Sequence, residues 1–237
     1  MSGIDATGGG TPWPWERLDG VDTDPAARGA VYTLLARTFD QPDEALYEAL
    51  ADGSLAEQVA DLVDQTRLTV TPPSLTTDDD YETLCARFND LFAIGFSEYL
   101  DRTDGTLSST GPPVPLYESA YRPETSWNDV NLDLARAYDY FDVEIASENR
   151  ENHDHVQLEL EFMGYLARRE AALDESVARA RLDFHDRHLR VFATGLTERI
   201  GDEDGTDVYG DLVGFLDAFS AADVDDLAVR IEDGDGP

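Results

Sequence analysis

From Glu151 to Leu166 the chain reads Glu-Asn-His-Asp-His-Val-Gln-Leu-Glu-Leu-Glu-Phe-Met-Gly-Tyr-Leu. Two histidines, His153 and His155, flank Asp154, and an apolar helix-forming run follows at once. Val156, Leu160, Met163 and Ala167 recur at helical spacing, and Leu158, Phe162, Tyr165 and Leu166 form a second set. Two such stripes cover much of a helix circumference, so this helix is expected to be central and mostly buried. Its first turn then sets a polar Asp-His pair at the edge of a core.

The surroundings are all-α. Helical periodicity marks a segment with Asp24 as N-cap and Pro25 at its first position, a short one from about Asp43 to Leu50, one that Ser54 can cap, and one from Thr77 to about Gly95. Further helices are expected from a cap at Ser126 or Thr125 to about Phe141, from about Ser176 to Ile200, from Val208, and in a short acidic piece from about Asp223. No alternating strand pattern and no fixed-period repeat interrupts them. The expectation is a bundle of roughly eight or nine helices. Residues 101–116 hold Gly105, Ser108, Ser109, Gly111, Pro112, Pro113 and Pro115, and form the longest expected loop inside the body. A loop of that length is usually functional or a hinge. Residues 1–22 read as a flexible arm in which Trp13 and Trp15 stand out, and 222–237 as a short acidic helix and tail.

The chain has 237 residues, 41% of them hydrophobic, enough for one domain or two closely packed lobes. Against 51 acidic residues stand 17 basic ones, a formal net charge of -34, and every basic residue is arginine. An acidic, lysine-free chain suits molar salt, where the Debye length falls to about 3 Å and like charges scarcely repel. Such a surface argues against nucleic acid or an anionic membrane as partner and tolerates a cationic one. Cys85 stands alone, so no internal disulfide is expected and a reducing cytoplasm fits. No apolar run nears ~18 residues, so no membrane insertion is expected, nor does an export signal stand out.

All four histidines fall in two clusters, His153-Asp154-His155 and His185-Asp186-Arg187-His188. His-Asp doublets in a helical chain raise the possibility of an HD-type metal-dependent phosphohydrolase, in which a divalent ion activates water. The spacing supports it weakly, because His185 falls on an apolar seam, where a core histidine is the commoner reading. A di-metal carboxylate bundle needs Glu-x-x-His pairs, and neither cluster supplies one. Cys85 lies on a buried helix face, Ser119 lacks a nucleophile elbow, and Gly8-Gly9-Gly10 lacks the phosphate loop's lysine. No catalytic residue, metal ligand or cofactor is assigned.

The run Glu151-x-x-Asp154-His155-x-x-x-Glu159-Leu160-x-Phe162-Met163 resembles the signature of the TorD/DmsD/NarJ family of redox-enzyme maturation chaperones, with His153 where proline is usual. Pro113-x-Pro115-x-Tyr117-Glu118-Ser119-x-Tyr121 is similar to the family's proline-rich segment, with Tyr117 where many members have Trp. Arg28-x-x-x-Tyr32, Tyr81-x-x-Leu-x-x-x-Phe88 and Phe184-x-x-x-His188-Leu189 fit other family helices, and the likeness spans residues 25–220. With the acidic composition it suggests a haloarchaeal type.

The resemblance implies a two-lobed helical domain over 23–221, with lobes near 23–100 and 117–221 joined by the 101–116 loop. It implies a cytoplasmic, non-catalytic chaperone for a molybdopterin-containing oxidoreductase of the dimethyl sulfoxide, trimethylamine oxide or nitrate reductase type. The expected partner is that enzyme's catalytic subunit with its twin-arginine leader, held until cofactor insertion. A monomer or domain-swapped dimer is expected. Asp154, His155, Glu151, Pro115, Tyr117, Glu118, Ser119 and Tyr121 are the expected peptide-binding residues. Asp154, Glu118 and Glu151 would offer carboxylates to guanidinium groups, and Asp154 would also cap the helix it precedes.

Overall fold

The structure is a computed structural model, and it describes residues 22–95, 97–101, 106–109, 111–145, 152–173 and 176–234. Trp13, Trp15 and Glu151 lie outside them.

The bundle is all-helical, as the periodicity predicts, apart from one short hairpin. α1 spans Thr23–Thr38, α2 Glu44–Ala51 and α3 Ser54–Asp64. α4, Tyr81–Phe88, continues into a π turn at Asn89–Ala93. α5 is Trp127–Tyr140 and α6 Val156–Leu173. α7, Ser176–Phe184, passes through a π turn at His185–Leu189 into α8, Arg190–Gly201. α9 runs unbroken from Val208 to Gly234, so the short acidic helix expected from Asp223 is the second half of one long helix. Leading into the expected loop, β1 (Ser97–Asp101) pairs antiparallel with β2 (Thr106–Ser109), a hairpin where no strand is expected. No helix among the described residues is long and apolar enough to cross a membrane.

Several helix starts shift once tertiary partners exist. Asp22, not Asp24, caps α1 by accepting the Asp24 N–H at 3.2 Å. This frees the Asp24 carboxylate to take Arg28 and the Arg67 N–H. Gly53, with φ at 79°, occupies the cap position of α3 in place of Ser54. α4 starts at Tyr81 because Asp80 accepts the Thr83 N–H at 2.8 Å. Of the two candidates, Ser126 and Thr125, it is Ser126 that caps α5, accepting the Asn128 N–H.

α6 is the centre of the bundle, with Val156, Leu160, Met163, Leu166 and Ala167 fully buried. α1 crosses it backbone to backbone at Gly29 and Gly164. A Cβ on Gly29 would stand 2.8 Å from the Gly164 carbonyl oxygen, and one on Gly164 2.9 Å from that of Gly29. One cluster of buried side chains runs through residues of both expected lobes. Val114 and Leu116, in the expected hinge, belong to it, and the Val114 N–H donates to the Leu91 carbonyl at 2.9 Å. The proline-rich segment therefore passes through the core rather than bridging a gap.

A second set of buried groups is ionic. Arg28 and Arg181 are fully buried and converge on Asp223. Arg28 donates to Asp223 at 3.0 Å, Arg181 at 2.7 Å, and the Tyr32 hydroxyl at 2.8 Å. Glu170 takes Arg181 from the other side, and Arg230 as well. The cluster ties α1, α6, α7 and α9 together. Burial alone would push the Asp223 carboxyl up, but Arg181 and Arg28 outweigh it and hold it below its ordinary value.

Candidate functional site

The two motifs that stand apart in the sequence meet at the start of α6. The Leu116 carbonyl accepts the Val156 N–H at 3.0 Å and the Asp154 carbonyl accepts the Glu118 N–H at 2.9 Å. These bonds form an isolated antiparallel bridge between Tyr117 and His155. The Asp154 carboxylate, fully buried, reinforces it by accepting the Ser119 N–H at 3.1 Å. His155 Nδ1 accepts the Gln157 N–H at 3.2 Å, so the histidine caps α6 and Asp154 does not. That corrects the expected cap: Asp154 faces across the bridge instead of along its own helix.

The bridge leaves an aromatic edge outside. Tyr117 is 41% exposed, with its ring edge-on to the His155 imidazole at 5.1 Å between centroids. Tyr121 points the other way. Its hydroxyl donates to the Pro115 carbonyl at 2.8 Å and its ring packs on Phe192. A Cβ at Gly195 would run into that ring, which fixes glycine there. Pro115 and Ser119 are half-buried, so among the described ones of the expected residues Tyr117 is the most open.

Glu118 turns inward. Its side chain is fully buried, paired with Arg122 on one oxygen and with His188 Nδ1 at 3.0 Å on the other. His188 Nε2 lies 3.2 Å from Asp133. The π turn at His185–Leu189 inserts the extra residue that rotates His188 toward this cluster. Asp154 and Glu118 are thus committed inside the protein, not offered to solvent as expected.

Glu159, one turn into α6, lies beside Glu118. Among the described residues neither of its oxygens has a hydrogen-bond partner of ordinary geometry, nor has Asp154 Oδ1. Burial, then the Glu118 charge, a side-chain hydrogen bond shared with Glu118 and the Asp154 charge, push the Glu159 carboxyl well above its ordinary value, with Arg122 opposing. Neither Glu159 nor the His188–Glu118 pairing was among the expected site residues. Glu159 falls on the inward side of a helix that is buried nearly all round, the one available signal.

Alongside lies a cavity of about 390 Å³ between α5, α6 and α7. Ala137, Phe141, Phe162 and Phe184 give it an apolar wall, with His188 and Asp133 at its polar side. Tyr140 also lines it and is 80% exposed.

The histidine clusters do not build an HD-type centre. His155 caps α6, and His188 is held by Glu118 and Asp133. The His153 N–H bonds to Asn131, and its ring stacks on Tyr138. His185 is buried, and burial lowers its pKa. Among the described residues no group of three or more His, Cys, Asp or Glu side chains is arranged to hold a metal ion.

The fold and site define an all-helical protein in which a proline-rich loop is stitched to the start of a central helix. The family model described as nitrate reductase delta subunit matches residues 43–198, and the chain belongs to that family, the TorD/NarJ group of redox-enzyme maturation chaperones. It is 28% identical to a selenate reductase assembly chaperone protein of Thauera selenatis, over 84% of this chain and 90% of that one. A chlorate reductase assembly chaperone protein of Ideonella dechloratans is 29% identical, over 74% of this chain and 78% of that one. A perchlorate reductase assembly chaperone protein of Dechloromonas aromatica is 26% identical, over 86% and 92%.

Proposed function

We propose that this protein is a cytoplasmic, non-catalytic chaperone that binds the catalytic subunit of a molybdenum-containing oxidoreductase before its cofactor is inserted. The observation that carries this reading is the bridge between Tyr117 and His155. It joins the two family motifs into one surface with an exposed aromatic edge, while their carboxylates are used to hold that surface in place. The names of the relatives, each an assembly chaperone of a reductase, point the same way. The bound segment is the subunit's twin-arginine leader: its apolar part lies against Tyr117 and the cavity beside α5, a helix-in-groove or extended mode.

At molar salt, exposed arginine–carboxylate attraction is screened within about 3 Å. Apolar burial is not weakened by salt and is strengthened by excluded ions. Calorimetric titration of the client's synthetic leader at low and molar KCl tests the reading. Affinity is expected to hold or rise with salt, and removal of the leader's apolar segment to cost more than Arg-to-Lys exchange. Absence of binding at both salt levels would overturn it.

A further inference from the structure

We infer that the cavity between α1 and α3 is the seat of the chain's own N-terminal arm, with Trp13 and Trp15 against Leu34, Leu62 and Arg168. The arm is thereby a strap across α1, α3 and the far end of α6. It is separate from the surface proposed for the partner: Arg168 lies about 18 Å along α6 from Val156, so the strap leaves the Tyr117–His155 edge open.

The cavity measures about 640 Å³, within the roughly 300–1,000 Å³ of sites that hold a ligand. Ala30, Leu34 and Leu62 give it an apolar floor, and Thr33, Ser54 and Gln65 stand exposed around it. The described chain begins at its edge. Thr23 lines the cavity, and the Asp22 N–H donates to the Ala171 carbonyl at 3.1 Å, about one turn beyond Arg168 on α6. Residues 1–21 precede that anchor and hold two of the chain's three tryptophans. The seven residues from Trp15 to Asp22 reach at most about 23 Å, and the cavity runs about 17 Å along α1 from Thr23 to Leu34. Both indoles therefore reach its whole length. Pro12 and Pro14 restrict the backbone of the stretch, which lowers the entropy lost on docking. The charges match as well. Arg168 donates to the Thr33 hydroxyl at 2.5 Å and to the Gly29 carbonyl at 3.4 Å, and among the described residues it forms no ion pair. A guanidinium of this kind suits an indole face, and Glu16 beside Trp15 brings it a carboxylate. Glu57 and Asp61 line the α3 side and complement Arg17, the arm's one basic side chain.

The test uses the full chain with Trp127→Phe, which leaves Trp13 and Trp15 as its tryptophans. Their fluorescence is quenched with acrylamide in molar KCl and compared with free N-acetyltryptophanamide. Seated indoles predict a quenching constant several-fold below that of the free amide and a blue-shifted emission, both lost in concentrated urea. Leu34→Asn and Arg168→Gln, added singly, should each raise the constant toward the free value, and Arg168→Lys, which keeps the cation, should restore most of the protection. A second readout does not depend on the cavity variants folding: the Arg168 Nε–H resonance of wild type should shift in Trp13→Gly/Trp15→Gly. A quenching constant equal to that of the free amide overturns the inference, as does protection that survives both cavity variants. An Arg168 resonance that stays in place when both indoles are removed overturns it too. Protection that vanishes on dilution would place the indoles on a second copy of the chain and overturn the strap within one chain.

Discussion

The Tyr117 ring stands edge-on to His155, 5.1 Å between centroids, across a single antiparallel bridge. The histidine is simultaneously the cap of α6. A surface aromatic is therefore positioned by the same residue that starts the central helix. Removing the ring should cost little stability, because Tyr117 is already 41% exposed. Tyr117→Ala is expected to lower stability by no more than about 1 kcal/mol, the worth of an edge-to-face contact. Leader binding should weaken several-fold. Urea unfolding and calorimetry on one sample separate the two effects.

Asp154 is expected to act by placement. Its carboxylate accepts the Ser119 N–H from full burial. Asp154→Ala orphans that N–H and should destabilise by about 1–3 kcal/mol, loosening the loop that carries Tyr117. Asp154→Asn keeps an acceptor and should preserve leader affinity in large part. Equal loss of affinity in both variants would mean that the charge itself meets the ligand.

Glu159 sets a pH dependence of the less usual sign. Its folded pKa is raised, chiefly by burial and then by Glu118. Its contribution to stability is therefore fully present below the unfolded value of about 4.3 and is lost as pH rises toward the folded value. Glu159→Gln removes that loss. The variant should be more stable than wild type near neutral pH, with the gap closing as pH falls toward 4. Melting curves across pH read it directly, and a gap that is constant with pH would contradict the assignment.

Asp223 has the opposite sign. Arg181 and Arg28 hold its carboxyl below the ordinary range against burial, which pushes it up. The stability it provides is present above the unfolded value of about 3.9 and lost as pH falls through the folded value. Asp223→Asn leaves two buried guanidinium groups without their shared counter-charge and should cost about 3–5 kcal/mol at neutral pH. Denaturant unfolding at pH 7 measures the cost, and the difference from wild type should shrink in acid.

Much of the fold was legible because apolar spacing is a local property. α6, the α7–α8 run and the Ser126 cap follow from residues that read the same in isolation and in the bundle. Asp24 and Asp154 differ from the caps that their positions predict for a common reason: an aspartate near a helix start can serve its own backbone or a distant donor. Arg28 and Arg67 decide the first case, and Ser119 the second. Asp223 was hidden among many acids, since nothing local distinguishes the one acid that meets Arg28 and Arg181 from the exposed ones around it. The motif residues of the two segments come together in the fold, where Tyr117 meets His155. Their inward or outward direction depends on the bridge, which no single segment encodes.

The most direct measurement of the central claim is capture of the tagged chain from its native host at molar salt, with the partner identified by mass spectrometry and its molybdenum determined. The account predicts the catalytic subunit of a molybdenum-containing oxidoreductase, leader intact and molybdenum-free, lost on Tyr117→Ala. Recovery of no such subunit, or of one already carrying its metal and lacking its leader, would contradict it.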